Sequence, residues 1–513
     1  MNRTTAAVKN ISSGLLSKIL SIILSFVSRT IFIMFLGKVY LGVNGLYTEI
    51  LTVLSFAELG FGTALTFALY KPVSNNDEDK IVKLLKFYKK IYRIIAIIVT
   101  ITGLAVVPFL QYIVQGADQI SLNELRIYFL IFLSNTVISY FITYRYSYIN
   151  ARQENYVTTA YDTVVNLVVI TAQIIVLLIF KNFLVYLLTQ TGLLIISKIV
   201  FSFFSNKKYP IFRIKTKESL SRDEKKPIYK EVRGLVVHQF SSIAIHSTDN
   251  IIIASISSLG VSIVGLVNNY NTLMTSVLSL VVIIFSSIAS GFGNLAATSN
   301  KQHFREIFEE LNFVNFWMYG FCSVAFLCLI PPFIVLWLGE DYTIPLLPFA
   351  LIVINCYLQG QSTIYNTARI ACGNFNLDKW ISLAQAIINL IVSIVLANII
   401  GLVGIYIGTI SSRLFFVIFR PIVTYRKVFG VSCKEYFKKL IPYFVAVSLT
   451  AIICYLLSNF LMKDITIRSF IGCASIILII PNAIFFMIFS RVKEFGNAKN
   501  RLKIVGKRFK IIR

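Results

Sequence analysis

"LSKILSIILSFVSRTIFIMFLG", residues 16 to 37, is long and apolar enough to cross a bilayer, yet Lys18 and Arg29 lie inside the run. A charged side chain near the middle of a span costs roughly 2.5–3.5 kcal/mol on insertion scales, so such residues face a protein interior or a water-filled cavity. Failing that, they snorkel their charge back to the headgroups. In an α-helix eleven residues advance about 1100°, roughly 20° past three full turns, so Lys18 and Arg29 share one face with Ser21 and Ser25 beside them. The stretch predicts a transmembrane helix with a polar stripe.

The rest of the chain has the same character: 57% of its 513 residues are hydrophobic and only 14% charged, which excludes a soluble globule. Apolar runs of spanning length recur at about 12–36, 44–70, 91–115, 122–146, 157–180, 183–205, 234–258, 263–290, 313–338, 344–368, 380–400, 402–425, 440–461 and 467–490. The runs are continuous rather than alternating, so the predicted class is an all-α polytopic membrane protein of about fourteen transmembrane helices, not a barrel.

A net charge of +26 raises the question of nucleic acid, but the distribution of the cations answers it. With the N-terminus placed inside, the even connections and the two tails hold 40 of the 49 Lys and Arg, and the odd connections hold only Lys38, Lys181, Lys463 and Arg468. This is the positive-inside pattern, and it predicts both termini in the cytoplasm and no nucleic-acid partner. The seven cysteines show no paired spacing that suggests a disulfide framework or a zinc site. The first apolar run is too long and too charged for a cleavable signal peptide.

The chain also resembles itself at a shift of about 220 residues. Gly45-Leu46 returns as Gly265-Leu266, Gly60-Phe61-Gly62 as Gly291-Phe292-Gly293, Tyr144 as Tyr365, and Tyr186 and Thr189 as Tyr406 and Thr409. Six spans lie within one shift, so the two lobes share an orientation and form a parallel, pseudo-symmetric six-plus-six repeat. The expected divisions are an N-lobe at 1–205, a basic cytoplasmic linker at 206–233, a C-lobe at 234–427, two further helices within 428–490, and a basic tail at 491–513.

The shift places His238 at the position of Lys18, Asp249 at that of Arg29 and Ser241 at that of Ser21. Two repeat-related helices with polar faces point to a hydrated cavity, for which Arg29, Lys18, His238, Asp249, Arg413 and Lys198 are the candidate lining residues. Asp249, Glu58 and Glu49 are candidates for coupling transport to a cation, H+ or Na+; no other cofactor and no metal centre is expected. Arg145, Arg152 and Arg369 fall at cytoplasmic helix ends, where topology accounts for them. The segments 77–93 and 300–312 are amphipathic and read as interfacial helices on the cytoplasmic side, and the tail reads as a segment able to lie on anionic lipid.

Residues 35–73, "FLGKVYLGVNGLYTEILTVLSFAELGFGTALTFALYKPV", resemble the polysaccharide flippases of the Wzx type, in the multidrug/oligosaccharidyl-lipid/polysaccharide exporter superfamily. The similarity rests on the run Tyr40 to Leu46, the run Leu54 to Gly60, Tyr70-Lys71-Pro72 and Tyr88 to Tyr92; "STDNIIIA", residues 247–254, is similar to the seventh helix of that family. The resemblance implies a transporter of the bacterial cytoplasmic membrane. It would carry an undecaprenyl-diphosphate-linked oligosaccharide to the outer leaflet by alternating access, for O-antigen, capsule or exopolysaccharide synthesis. Membrane lipids, a polysaccharide polymerase and chain-length machinery are the implied partners. Arg29 and Lys18 would hold the diphosphate through charge-assisted hydrogen bonds in a cationic cavity. A small-molecule exporter of the multidrug branch is the alternative. A membrane polymerase or ligase ranks below it, because the outward connections are short and no nucleophile or phosphate-loop motif occurs in a suitable context.

Overall fold

The computed structural model describes residues 3–500, leaving out 59, 215, 257, 299 and 372–377; it describes side chains except at 3–19, 57, 231, 233–235, 237, 238, 246, 284, 286–298 and 369–371. Among the described residues there is no strand. The chain forms two compact units, Met1–Gly265 and Leu266–Arg513.

The first unit contains α1 (Arg3–Leu54), α2 (Phe61–Ser74), α3 (Glu78–Val106), α4 (Leu110–Ile113), α5 (Leu122–Tyr140), α6 (Thr143–Ala151), α7 (Asn155–Phe180), α8 (Phe183–Lys208), α9 (Arg222–His246), α10 (Thr248–Ser255) and the first turn of α11 (Gly260–Thr298). The second contains the rest of α11, then α12 (Lys301–Leu338), α13 (Leu346–Gln361), α14 (Thr363–Ala371), α15 (Lys379–Ile400), α16 (Leu402–Thr424), α17 (Lys434–Leu461) and α18 (Ile467–Phe489).

Among the described residues ten helices are long and apolar enough to cross a membrane, or eleven if the bent pair α5–α6 is one span, so this is a multi-pass membrane protein. Fourteen spans were expected, and the difference falls where helices are broken or merged. The expected spans 12–36 and 44–70 meet inside α1, which runs on through Gly37. Gly37 has φ 77° and ψ −173°, a conformation only glycine adopts at no steric cost, so the chain changes direction there without a loop. The span expected at 234–258 is divided at Ser247 between α9 and α10, and that at 344–368 at Ser362 between α13 and α14. The α5–α6 break recurs as the α13–α14 break about 220 residues later, in keeping with the repeat read from sequence.

Two further expectations change. The amphipathic segments 77–93 and 300–312 are not separate interfacial helices but the opening turns of α3 and α12, which continue unbroken into their apolar lengths. Asp77 and Asn300 cap them, accepting from the backbone N–H of Lys80 and His303, and neither proline nor glycine interrupts the junction with the span. Helices α9 and α10, which the repeat assigns to the second lobe, belong to the first compact unit. Backbone bonds bind that region to the loop after α4: Gln115 N–H donates to the Ala254 carbonyl (3.1 Å), and Val261 N–H to the Gln115 carbonyl (2.8 Å). The basic tail beyond residue 500 lies outside the described residues.

The linker is also pinned down. The Lys86 ammonium on α3 donates to three successive carbonyls, those of Thr216 (2.9 Å), Lys217 (2.8 Å) and Glu218 (3.1 Å). Helix α9 then opens with a capping box, in which Ser221 N–H donates to Glu224 (2.9 Å) and Glu224 N–H to the Ser221 hydroxyl (3.2 Å). The bonds from the Ser221 backbone and hydroxyl hold the Glu224 carboxyl below the usual carboxylate range. A depressed folded-state value means that the stabilisation is complete above the ordinary range and is lost as pH falls through the depressed value. Ser221→Ala is expected to cost the first turn about 1 kcal/mol at neutral pH, seen as faster amide exchange over residues 222–230, and to weaken that acid-side dependence.

In the second unit α15 and α16 form a tight hairpin. A Cβ at Gly408 would come within 2.5 Å of the Ser393 backbone nitrogen, Ser393 donates to the Ile405 carbonyl (3.1 Å) and Asn389 to Thr409 (3.1 Å), the small-residue packing by which membrane helices approach closely. Helices α17 and α18 dock on α12. Phe316 stacks on Tyr443 with centroids 4.1 Å apart, Trp317 donates to Asn482 (2.8 Å), and Lys439 bridges Glu309 and Glu494.

Candidate functional site

The first unit has an open cavity of about 540 Å³. Its lining is contributed by the end of α1 (Thr48, Leu51, Thr52), the 3-10 turn after it (Ser55, Glu58), the start of α2 (Gly60, Gly62, Thr63), α5 (Phe132, Asn135, Thr136), α8 (Gln190) and α9 (Gln239, Ile243). Hydroxyl and amide side chains predominate. The surrounding helices turn large apolar residues outward, Ile97 and Ile101 on α3 and Val164 and Val168 on α7 among them, the apolar exterior of helices that lie in lipid.

Glu58 is the one ionisable residue among the described lining. The 3-10 turn Ser55–Glu58 places it there, because the helix ends at Leu54 and resumes only after Gly60, whose φ of 86° turns the chain. Buried Tyr140 on α5 stands beside Glu58 and donates its hydroxyl to Ser55 (2.9 Å), the first residue of that turn. Tyr92 of α3 stacks against Tyr140 with centroids 6.4 Å apart.

Arg29 is placed beside this cavity rather than in the lining. Half-buried on α1, it is in electrostatic range of Tyr186 on α8, which shares side-chain hydrogen bonds with Ser28 and Gln173. Gln173 on α7 in turn donates to Gln190 (3.3 Å), the cavity's residue on α8, one helical turn from Tyr186. A polar path therefore leads from the arginine between α1, α7 and α8 to the cavity wall.

The remaining candidates are dispersed. Glu49 on α1 hydrogen-bonds to Ser247 and Asn250, the residues on either side of the α10 first turn that contains Asp249. Lys198 on α8 lies over the Tyr146 ring at 5.9 Å and near Asp162, which accepts from Tyr146 (2.7 Å). Arg413, buried on α16 of the second unit, donates from Nε to Asn355 (3.2 Å). The side chains of Lys18 and His238 lie outside the described residues. Among the described residues no group of three His, Cys, Asp or Glu is placed to hold a metal ion.

The sequence reading passed over two buried arginines. Arg145 on α6 binds the end of α8 through Ser205 (2.6 Å) and Asn206 (2.7 Å), and its guanidinium sits over the Phe212 ring. Arg420 at the end of α16 pairs with Asp378 (2.7 Å) and donates to Asn366 on α14 (2.7 Å), all three in the second unit. Position at a cytoplasmic helix end accounts for Arg145 in the sequence and Arg420 is not singled out there; only the fold reveals them as ties between helix ends. The neutral lining residues are not singled out either, because lone Thr, Asn and Gln in apolar spans carry no charge to mark them.

Comparison with known proteins agrees with this architecture. The family model described as polysaccharide biosynthesis protein matches residues 7–289. A search of the curated proteins gives no match. Among solved structures the chain is similar to the lipid II flippase MurJ in an inward closed conformation, with TM-score 0.63, 14% identity, 93% of this chain and 99% of that chain covered. It is also similar to the MATE transporter VcmN of Vibrio cholerae, with TM-score 0.59, 15% identity, and 83% and 98% covered. An inward-facing multidrug resistance MATE transporter of the MOP superfamily gives TM-score 0.59 at 13% identity, with 78% and 93% covered. At such identities the solved structures speak to the fold, and the match over more than half of the chain settles the membership: the chain belongs to the polysaccharide biosynthesis protein family and has the fold shared by MOP transporters.

Proposed function

We propose that this protein is a flippase that carries a polyprenyl-diphosphate-linked oligosaccharide from the cytoplasmic to the outer leaflet of a bacterial cytoplasmic membrane. The observation that carries this reading is the cavity in the first unit, walled by hydroxyl and amide side chains inside a shell of lipid-facing apolar helices. Saccharides are bound through just such groups, and the volume falls within the range of ligand sites, about 300–1,000 Å³. The family membership and the likeness to a lipid II flippase point the same way.

In this mechanism the glycan enters the polar cavity while the polyprenyl chain stays in lipid. The cationic Arg29, with Lys18 on the same face, attracts the diphosphate. Asp249 is the residue through which a cation gradient biases the cycle, and both termini lie in the cytoplasm, as the distribution of Lys and Arg requires. Polymerase and chain-length proteins receive the translocated unit.

Vesicles containing the purified protein and a fluorescent undecaprenyl-diphosphate oligosaccharide test the reading. Lipid should become accessible to an impermeant glycosidase faster than in protein-free vesicles; equal rates would refute transport. Arg29→Ala is expected to slow transfer about tenfold while the protein still inserts, since a charge-assisted contact to phosphate is lost. An unchanged rate removes Arg29 from the substrate path.

A further inference from the structure

The chemistry of the cavity wall also discriminates between kinds of sugar. We propose that the first unit selects saccharides bearing a free ammonium group over those bearing a carboxylate, with Glu58 as the residue that reads the charge. This deepens the flippase reading and rests on it for the site's physiological ligand.

Three observations converge. Glu58 is the single ionisable side chain among the described residues that line the cavity, and the others supply hydroxyls and amides, which treat neutral sugars alike. The turn that carries it is tied to α5 by buried Tyr140, whose hydroxyl donates to Ser55 (2.9 Å), so its position is set by a buried residue of α5. A carboxylate offers about four acceptor sites to donors around it.

An ammonium on a bound sugar makes a charge-assisted hydrogen bond to that group, whereas a uronic acid brings like charge against it. Asn135, Thr136 and Gln190 stand on the same wall to fix the ring hydroxyls whichever substituent is present. The arginine that would favour an acidic sugar, Arg29, lies behind Tyr186 and Gln173, off the described lining, and suits the diphosphate instead. The head of the lipid carrier and its glycan are thereby sorted by charge to different places.

Binding is measured by calorimetry on the detergent-solubilised full-length protein, with three soluble disaccharides of one backbone: a free amine, its N-acetylated form and a uronic acid. The amine is expected to bind about tenfold more tightly than the uronate, with the N-acetyl compound between them. Glu58→Gln should bring the amine down to the affinity of the N-acetyl compound. Equal or tighter binding of the uronate to the unmodified protein overturns the proposal without any variant having to fold. An amine preference that survives in Glu58→Gln overturns the role of Glu58. The same head groups on undecaprenyl diphosphate in vesicles separate the two readings: an intact binding order with no transfer would defeat the flippase and leave the selectivity standing.

Discussion

Gly42→Ala removes the protein from the folded pool. A Cβ at position 42 would stand 1.8 Å from the Val261 carbonyl oxygen and 2.7 Å from its carbon, and these are backbone atoms that no rotamer change can move aside. The contact is reciprocal, for a Cβ at Gly265 would stand 2.3 Å from the Lys38 carbonyl oxygen. The second stretch of α1 and the opening turn of α11 thus meet backbone to backbone. Overpacking usually costs 1–3 kcal/mol, and with no side chain able to yield the cost here should be about 3 kcal/mol or more. The variant should fail to elute as a monodisperse peak in detergent, or should melt far below the parent. Gly192→Ala serves as the control: nothing lies within 4 Å of its Cβ, so it should be neutral or stabilising by about 0.5–1 kcal/mol. Equal behaviour of the two variants would show that the α1–α11 approach is looser than the structure has it.

Arg420→Met carries the second large effect. The side chains of Arg420 and Asp378 are 3% and 1% exposed, and the Nε to Oδ2 distance is 2.7 Å. Removing the cation strands a buried carboxylate, which costs about 3–5 kcal/mol, while replacing both members by apolar groups is often neutral. Arg420→Met should therefore lower the melting temperature sharply, and the double variant Arg420→Met, Asp378→Leu should recover most of the loss. Lysine is a poor substitute at this position, because the guanidinium reaches both Asp378 and Asn366 from a planar fork that an ammonium lacks. A double variant as unstable as the single one would mean that the tie to Asn366, not the ion pair, holds α16 to α14.

Both sites were visible in the sequence in a form that concealed their physics. Gly42 lies within the Tyr40–Leu46 run that carries the family resemblance, but nothing along the chain announces that it touches Val261, more than two hundred residues away. Arg420 lies near the end of the apolar run 402–425, among cations that the positive-inside pattern already accounts for. Of the predicted stripe of Lys18 and Arg29, the described residues show Arg29, which is in electrostatic range of Tyr186. Which protein groups lie there, Tyr186 and Gln173 of α8 and α7, depends on how the helices pack.

What the sequence by itself determined is everything that follows from one-dimensional constraints: an all-helical chain of spanning length and the family to which the 35–73 run belongs. Hydrocarbon allows no unpaired backbone and few charges, so long apolar runs must be helices. The tertiary structure decided where those helices break, at Gly37, Ser247 and Ser362, and that α9 and α10 pack with the first unit. It also decided that the cavity wall is built from neutral polar residues around Glu58. The reason is physical: Thr, Asn and Gln are tolerated in spans on either face at small cost, and only packing tells which of them converge on one space.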